Sequence, residues 1–458
     1  MKAKQYILYA LFAALFLACE NELDVQPRQR EDATVSLGTE KGVKDILSGT
    51  YAIAANGDVY GGRILVAADL LGQTGTTATT ELRWRGTFAE FRHMYAKTML
   101  VNNVFVQQIW ARNYEIINAA NTVIENISKV SSPEDQKRMI GEANFLKSLA
   151  YFDLVRFFGK QYEAGKNNTQ LGVIIREKAI NDYTIDLSAE RSSVEAVYAL
   201  VIDGLNKAYN DLPVENEFYA NKYAAKALLA RVYLQMQNYP AARDAANDVI
   251  LNSGADLSTK YADAFNHDSN QIEDIFAIQI TKQTGDNQVV NLYASEANGG
   301  RGGDIEITSN YLNKFDDSND DRRNFNKINP ANNRRLTSKY TSQFGDVPII
   351  RYAEMLLIRA EANFRESTSV GDTPLKDINR LRTRANATNF TSTSLNLSII
   401  LRERELELGM EGFKIHDIKR TGGNVTSSLP WISDKLIFPI PLRETDSNKK
   451  ITQNTGYF

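Results

Sequence analysis

The sequence predicts a mainly α protein: degenerate tetratricopeptide-type helix pairs form a scaffold that carries a loop-rich insertion. Two patterns point there. Over most of the chain apolar residues recur at three- to four-residue spacing, the period of a helix with one buried face. From about 252 to 348 that period is absent, and Gly, Asn and Asp separate short apolar runs such as Ile275-Phe276-Ala277-Ile278. The composition, 43% hydrophobic and 24% charged over 458 residues, is that of a globular chain long enough for one large domain or two ordinary ones.

Residues 1–18 read as an export signal. Lys2 and Lys4 precede a mostly apolar run, Tyr6 to Ala18, which is shorter than the ~20 residues that span a bilayer. Cys19, the only cysteine, follows the small residue Ala18. That order predicts cleavage before Cys19 and a lipid on its thiol, against the plainer alternative of a secretory signal with an incidental cysteine. Residues 19–37 are polar and aperiodic and read as a lipidated tether. The folded domain is placed at 38–458, with no cysteine for disulfides, nucleophilic chemistry or metal ligation.

The helices follow in order. Val104 to Ile127 carries Ile109, Ile116, Ile117, Ala120 and Ile124 on one face. Ser132 caps the next, with Pro133 in its first turn and acids after it, and Gly159 ends it. Ser192, with Glu195 three residues on, reads as a capping box for a helix ending near Leu212-Pro213. Tyr219–Gln237 and Pro240–Leu251 form a pair; Ala224, Ala227, Ala230, Ala241, Ala242 and Ala245 let the two backbones approach, as in a solenoid. Helices return at Arg351–Arg365, Pro374–Ala387 and Leu397–Gly412.

On the last of these, Glu403, Glu407 and Glu411 repeat at i, i+4. Like charges at that spacing repel unless bases answer them. Arg402, Arg404, Lys419 and Arg420 are at hand, so the row reads as an ion-pair network and not as a metal or acid–base site.

Other chemistry is faint. A formal net charge of −3 argues against nucleic acid as a partner. His93, His267 and His416 are scattered, so no metal site and no cofactor are expected. No GxSxG elbow occurs. Gly299-Gly300-Arg301-Gly302-Gly303 follows no clear strand and reads as a flexible surface loop, not a phosphate cradle. Asp316-Asp317 with Asp320-Asp321 is either a solvated loop or an oxygen-ligand cation site. A glycosidase carboxylate pair cannot be singled out by counting.

Several segments carry a resemblance. Arg351-Tyr352-Ala353-Glu354-Met355-Leu356-Leu357 with Glu361-Ala362, then Ile378-Asn379-Arg380-Leu381-Arg382-Thr383-Arg384-Ala385, then Glu403-Arg404, Glu407-Leu408, Glu411-Gly412, Asp417 and Lys419-Arg420 occur in that order. Pro439-Ile440-Pro441, Glu444, Asn448, Gln453-Asn454 and Gly456-Tyr457 close the chain. Earlier lie Trp110, Tyr114, Ile117, Asn118 and Asn121, then Gly141-Glu142-Ala143 and Tyr151-Phe152-Asp153-Leu154-Val155 with Gly159. Together they resemble the SusD/RagB family of nutrient-uptake outer-membrane lipoproteins of Bacteroidetes. Lys414 stands where that pattern usually has Arg, and His416 where an aromatic is common. The acidic start of the tether, Glu20, Glu22 and Asp24, resembles the surface-export signal of such lipoproteins.

The resemblance implies a SusD-like fold and a non-enzymatic, outward-facing, lipid-anchored protein. It would bind a nutrient oligomer, glycan or peptide, and deliver it to a SusC-like TonB-dependent barrel. An enzyme acting on surface glycans is the competing reading. The implied site is shallow and built from two regions: Tyr60, Arg63, Asp69, Trp84 and Arg85 before the Trp110 helix, and Tyr293, Asn298, Arg301, Tyr340 and Phe344 in the insertion. Aromatic rings would stack on sugar C–H faces, and Arg, Asn and Asp would pair with hydroxyls. Trp84, flanked by Arg83 and Arg85, is the leading candidate; Trp110 is expected to pack.

Overall fold

The computed structural model describes residues 38–182, 184–281 and 287–457. The expected export signal, Cys19 and the tether lie outside the described residues. Helix α1 (Glu40–Ala54) starts at Thr39, whose hydroxyl accepts the Gly42 N–H at 3.1 Å. After it come α2 (Arg63–Leu71), strand β1 (Leu82–Trp84) and α3 (Ala89–Ala96). None of these was assigned from the sequence: α2, β1 and α3 are short, whereas α1 buries one face through Val43, Leu47, Thr50 and Ala54, a period that was missed.

The scaffold is the run α4 (Val104–Glu125), α5 (Pro133–Phe158), α6 (Val194–Asp211), α7 (Lys222–Gln235) and α8 (Tyr239–Asn252). Each helix packs on the one before it, as a solenoid requires. Ser132 caps α5 as expected, its hydroxyl accepting the Asp135 N–H at 3.2 Å. The cap of α6 is displaced by one residue. Ser193, not Ser192, accepts the Ala196 N–H at 3.1 Å, because Ser192 is held extended against Val173. Glu195 then falls too early to close a box and accepts from Asn168 at 3.2 Å. Ala224, Ala227, Ala230, Ala242 and Ala245 are buried in the α7–α8 pair, and Ala241 is half-buried.

The insertion contains β2 (Asp274–Ile278), α9 (Gln288–Tyr293), β3 (Ile305–Ile307), β4 (Asn326–Asn329), β5 (Arg334–Thr337) and β6 (Val347–Arg351). β2 pairs antiparallel with β6, so the insertion leaves and returns at one place; β4 and β5 form a hairpin. β3 crosses back to β1 in the register Leu82↔Ile307, Arg83↔Glu306 and Trp84↔Ile305. This pairing joins the two regions expected to build the site.

The chain ends through α10 (Tyr352–Glu366), α11 (Pro374–Arg384), α12 (Leu397–Glu407), α13 (Lys414–Arg420), a β7–β8 hairpin (Asn424–Thr426, Leu429–Pro430) and α14 (Leu442–Ser447). α10 also covers α8. α12 stops five residues before the expected end at Gly412. Met410 and Gly412 turn left-handed, with φ of 67° and 83°, and the Gly412 N–H is donated to Asp69 at 3.1 Å.

The glutamate row lies in the interior. Glu403 pairs with Arg322 at 2.8 Å and Arg382 at 2.7 Å, Glu407 with Arg384 at 2.6 Å, and Glu411 with Lys339 at 2.5 Å and Arg351 at 2.8 Å. Burial alone would raise the Glu407 carboxyl; Arg384, Arg351 and Arg322 outweigh it and hold it at about 2. The network is present, and the expected Arg402 reaches Glu403 at 3.7 Å, but the shorter ion pairs are made with other partners. They come from the insertion, β6 and α11, while Lys419 donates to the Arg156 carbonyl and Arg420 pairs with Glu361 at 2.8 Å. The acidic loop is likewise absorbed by protein: Asp316 pairs with Arg402 at 2.6 Å, Asp317 accepts the Thr388 N–H at 2.8 Å, and Asp320 pairs with Arg322 at 2.7 Å.

Candidate functional site

The β1–β3 pair sets a row of polar groups on one exposed edge. Arg85 and Arg83 reach Glu306, at 2.7 and 3.4 Å. One turn on, the Arg301 guanidinium lies over the half-buried Phe88 ring at 4.0 Å and donates to Thr87 Oγ1 at 2.9 Å. Stacking on the ring orients the guanidinium while leaving donors at its edge. Phe88 packs on Phe105, and Arg63 covers Phe105 at 4.4 Å, so the aromatic floor continues inward.

Asp304 lies below Arg301, its Oδ2 atom 3.5 Å from Nε and without a hydrogen bond. Burial raises its carboxyl, while Arg301 and Arg334 pull it down. Trp84 Nε1 is also buried without an acceptor. Gly86 makes the arrangement possible: a Cβ there would stand 2.4 Å from the Trp84 ring and 2.6 Å from the Asp304 carboxyl carbon.

The glycine run is an ordered turn, not the flexible loop expected. The N–H groups of Arg301, Gly303 and Asp304 donate to the carbonyls of Asn291, Ala294 and Leu292 at 2.7–2.9 Å. Gly302 and Gly303 adopt φ of 94° and 72°, which turns Arg301 outward.

Of the expected site residues, Arg85 and Arg301 are exposed on this edge, and Arg63 reaches it through Phe105. Five others are corrected to interior positions. Trp84 is 7% exposed and packs on Phe91 at 5.2 Å. Tyr60 is 1% exposed, its hydroxyl donating to Asn113 at 3.3 Å. Tyr293 donates to Asp69 at 3.0 Å, Tyr340 to the Met410 carbonyl at 2.8 Å, and the two rings lie 5.4 Å apart. None of these rings, nor the Asp69 carboxyl, offers a face to solvent in this conformation, because the insertion packs them against α2 and the turn after α12. Asn298 and Phe344 are half-buried in separate turns. Phe88, Thr87, Asp304 and Glu306 were missed. Asp304 directly follows the glycine run, which was the one available signal. Among the described residues no group of three or more His, Cys, Asp or Glu is placed to hold a metal ion.

Comparison with known proteins bears on this architecture. A family model described as "Starch-binding associating with outer membrane" matches residues 7–234, and one described as "SusD family" matches 252–428. The chain belongs to the SusD/RagB family. The SusD-like protein P2 of Formosa agariphila is 25% identical over 436 residues, covering 82% of each chain. The starch-binding protein SusD of Bacteroides thetaiotaomicron is 34% identical over 124 residues, 24% of this chain and 22% of that one. A crystal structure of a SusD superfamily protein from Bacteroides thetaiotaomicron superposes with a TM-score of 0.81 at 26% identity, covering 91% of this chain and 99% of that one. A SusD-like carbohydrate binding protein from Bacteroides vulgatus shares the fold at TM-score 0.77 and 19% identity, over 90% and 97% of the two chains. The departures from the SusD/RagB pattern are accommodated by packing. Lys414 bridges Glu81, at 2.8 Å, and Glu405. His416 lies edge-on to Phe157 at 4.9 Å, and burial keeps it neutral.

Proposed function

We propose that this chain is a non-catalytic outer-membrane lipoprotein, anchored through Cys19 and facing outward, that captures a short glycan and passes it to a SusC-like TonB-dependent barrel. The observation that carries the reading is the β1–β3 pairing, which gathers Arg85, Thr87, Phe88 and Arg301 on one edge with the buried Asp304 carboxyl beneath Arg301. A ring with vicinal hydroxyls needs such a set: planar donors, a carboxylate acceptor and an apolar surface for C–H groups. Relatives described as starch-binding and carbohydrate-binding support this ligand class. Arg85 and Arg301 outnumber the accessible ring faces of this edge, which favours a charged or short glycan over a long neutral polymer. An acidic peptide is the second reading, supported by the same two arginines.

The test is a glycan and peptide array probed with the full chain in detergent, beside Arg301→Ala and Phe88→Ala. The proposal expects a glycan hit weakened about tenfold or more by either substitution, a change of about 1.4 kcal/mol. A hit unaffected by both would move the site elsewhere; a hit on acidic peptides alone would select the second reading.

A further inference from the structure

A cavity that shares no lining residue with the glycine turn lies against α4. It has a volume of roughly 500 Å³ and is walled by α4, residues 174–180 and 185–188, and α14. Its walls are held in place by side chains that are thereby used up. Tyr114 donates to the Ile174 carbonyl at 2.7 Å, Asn118 accepts the Ile180 N–H at 2.6 Å, and Asn448 donates to the Ala189 carbonyl at 2.7 Å.

Three charged side chains line the cavity: Asp186, which accepts the Ser188 N–H at 2.8 Å, Arg176 and Glu444. Arg176 spends only Nη2, on the Leu187 carbonyl. Glu444 receives the Trp110 indole N–H. Both line the cavity, and no ion pair joins either of them to any charge among the described residues. They do act on each other: burial raises the Glu444 carboxyl, and Arg443 and Arg176 lower it. A half-buried guanidinium and carboxylate that face one space without touching are each short of a partner, which costs free energy unless something of complementary charge lies between them. The wall also carries the aliphatic side chains of Ile117, Ile174 and Ile180. Of the two rings in the wall Trp110 is 2% exposed, while Tyr114 is half-buried with its hydroxyl committed to the Ile174 carbonyl.

We propose that this cavity binds a small zwitterion, an aliphatic α-amino acid, with its carboxylate on Arg176, its ammonium on Glu444 and its side chain against the isoleucines. The site is separate from the Arg301 edge and does not depend on the reading of that edge.

The test is calorimetric titration of the full chain in detergent with L-leucine, N-acetyl-L-leucine and L-leucinamide. The proposal expects leucine to bind at least about tenfold tighter than either capped form, because each cap removes one charge. Glu444→Gln should lose the discrimination against N-acetyl-leucine, and Arg176→Gln the discrimination against leucinamide; either variant suffices should the other fail to fold. Arg301→Ala should leave leucine binding unchanged. Absence of leucine binding at millimolar concentration, equal affinity for all three compounds, or discrimination retained in a folded variant would overturn the proposal.

Discussion

Arg322 and Glu403 meet at 2.8 Å with neither side chain exposed to solvent. A single turn of the insertion is thereby fastened to α12, and Arg382 of α11 reaches the other oxygen of the same carboxylate at 2.7 Å. Removing one charge from a buried cluster leaves its partners uncompensated, which typically costs about 3–5 kcal/mol. Glu403→Gln should lower stability by that order in chemical unfolding. A loss below about 1 kcal/mol would mean that water reaches the cluster.

Asp69 gives a pH dependence of definite sign. Burial pushes its carboxyl up to about 7, although the Gly412 N–H and the Tyr293 hydroxyl pull it down. The folded value exceeds the unfolded one, so the contribution to stability is fully present below the ordinary range near 4 and is lost as pH rises through about 7. Asp69→Asn retains an oxygen to accept both bonds and carries no charge. The difference in unfolding free energy between parent and variant should therefore shift toward the variant from pH 5 to pH 8. A pH-independent difference would contradict the burial of this carboxyl.

Gly86→Ala places a methyl group against the Trp84 ring and the Asp304 carboxyl. Such contacts force the ring or the backbone to move. Tryptophan emission should shift toward that of a more exposed indole, and the glycan affinity of the Arg301 edge should fall about tenfold, or by about 1.4 kcal/mol. Unchanged emission and affinity would show that the edge tolerates the displacement.

Lys97 is 5% exposed, and its ammonium donates to the carbonyls of Leu70 at 3.3 Å, Tyr95 at 2.7 Å and Gln73. It closes the C-terminal end of α2, where carbonyls lack helical partners. Lys97→Met keeps the stem but strands these acceptors, and should cost about 1–3 kcal/mol in thermal or chemical unfolding.

Helices with caps and a full apolar face were legible in the sequence. Ser132 with Pro133 delimits the start of α5 because local chemistry sets that end. The α6 cap was misplaced by one residue because two serines adjoin, and a tertiary contact from Val173 chooses between them. The partners of Glu403, Glu407 and Glu411 were misread for a related reason: Arg322, Arg351 and Arg384 are distant in the chain, and local bases had seemed sufficient. The site was half legible. Arg85 and Arg301, singled out in the sequence, lie on the proposed edge, but aromaticity alone does not separate a stacking ring from a core ring. Trp84, Tyr60, Tyr293 and Tyr340 are core rings here because β3 and α9 fold over them. Phe88 was invisible because its role rests on an arginine more than two hundred residues away.

The most direct test of the account is hydrogen–deuterium exchange of the full chain with and without a glycan selected on the array. Binding at the β1–β3 edge predicts added protection in peptides covering 85–88 and 299–304, with none in α14. Protection confined to α14 and residues 174–180 and 185–188, or absent from both edge peptides at saturating glycan, would contradict the placement of the site.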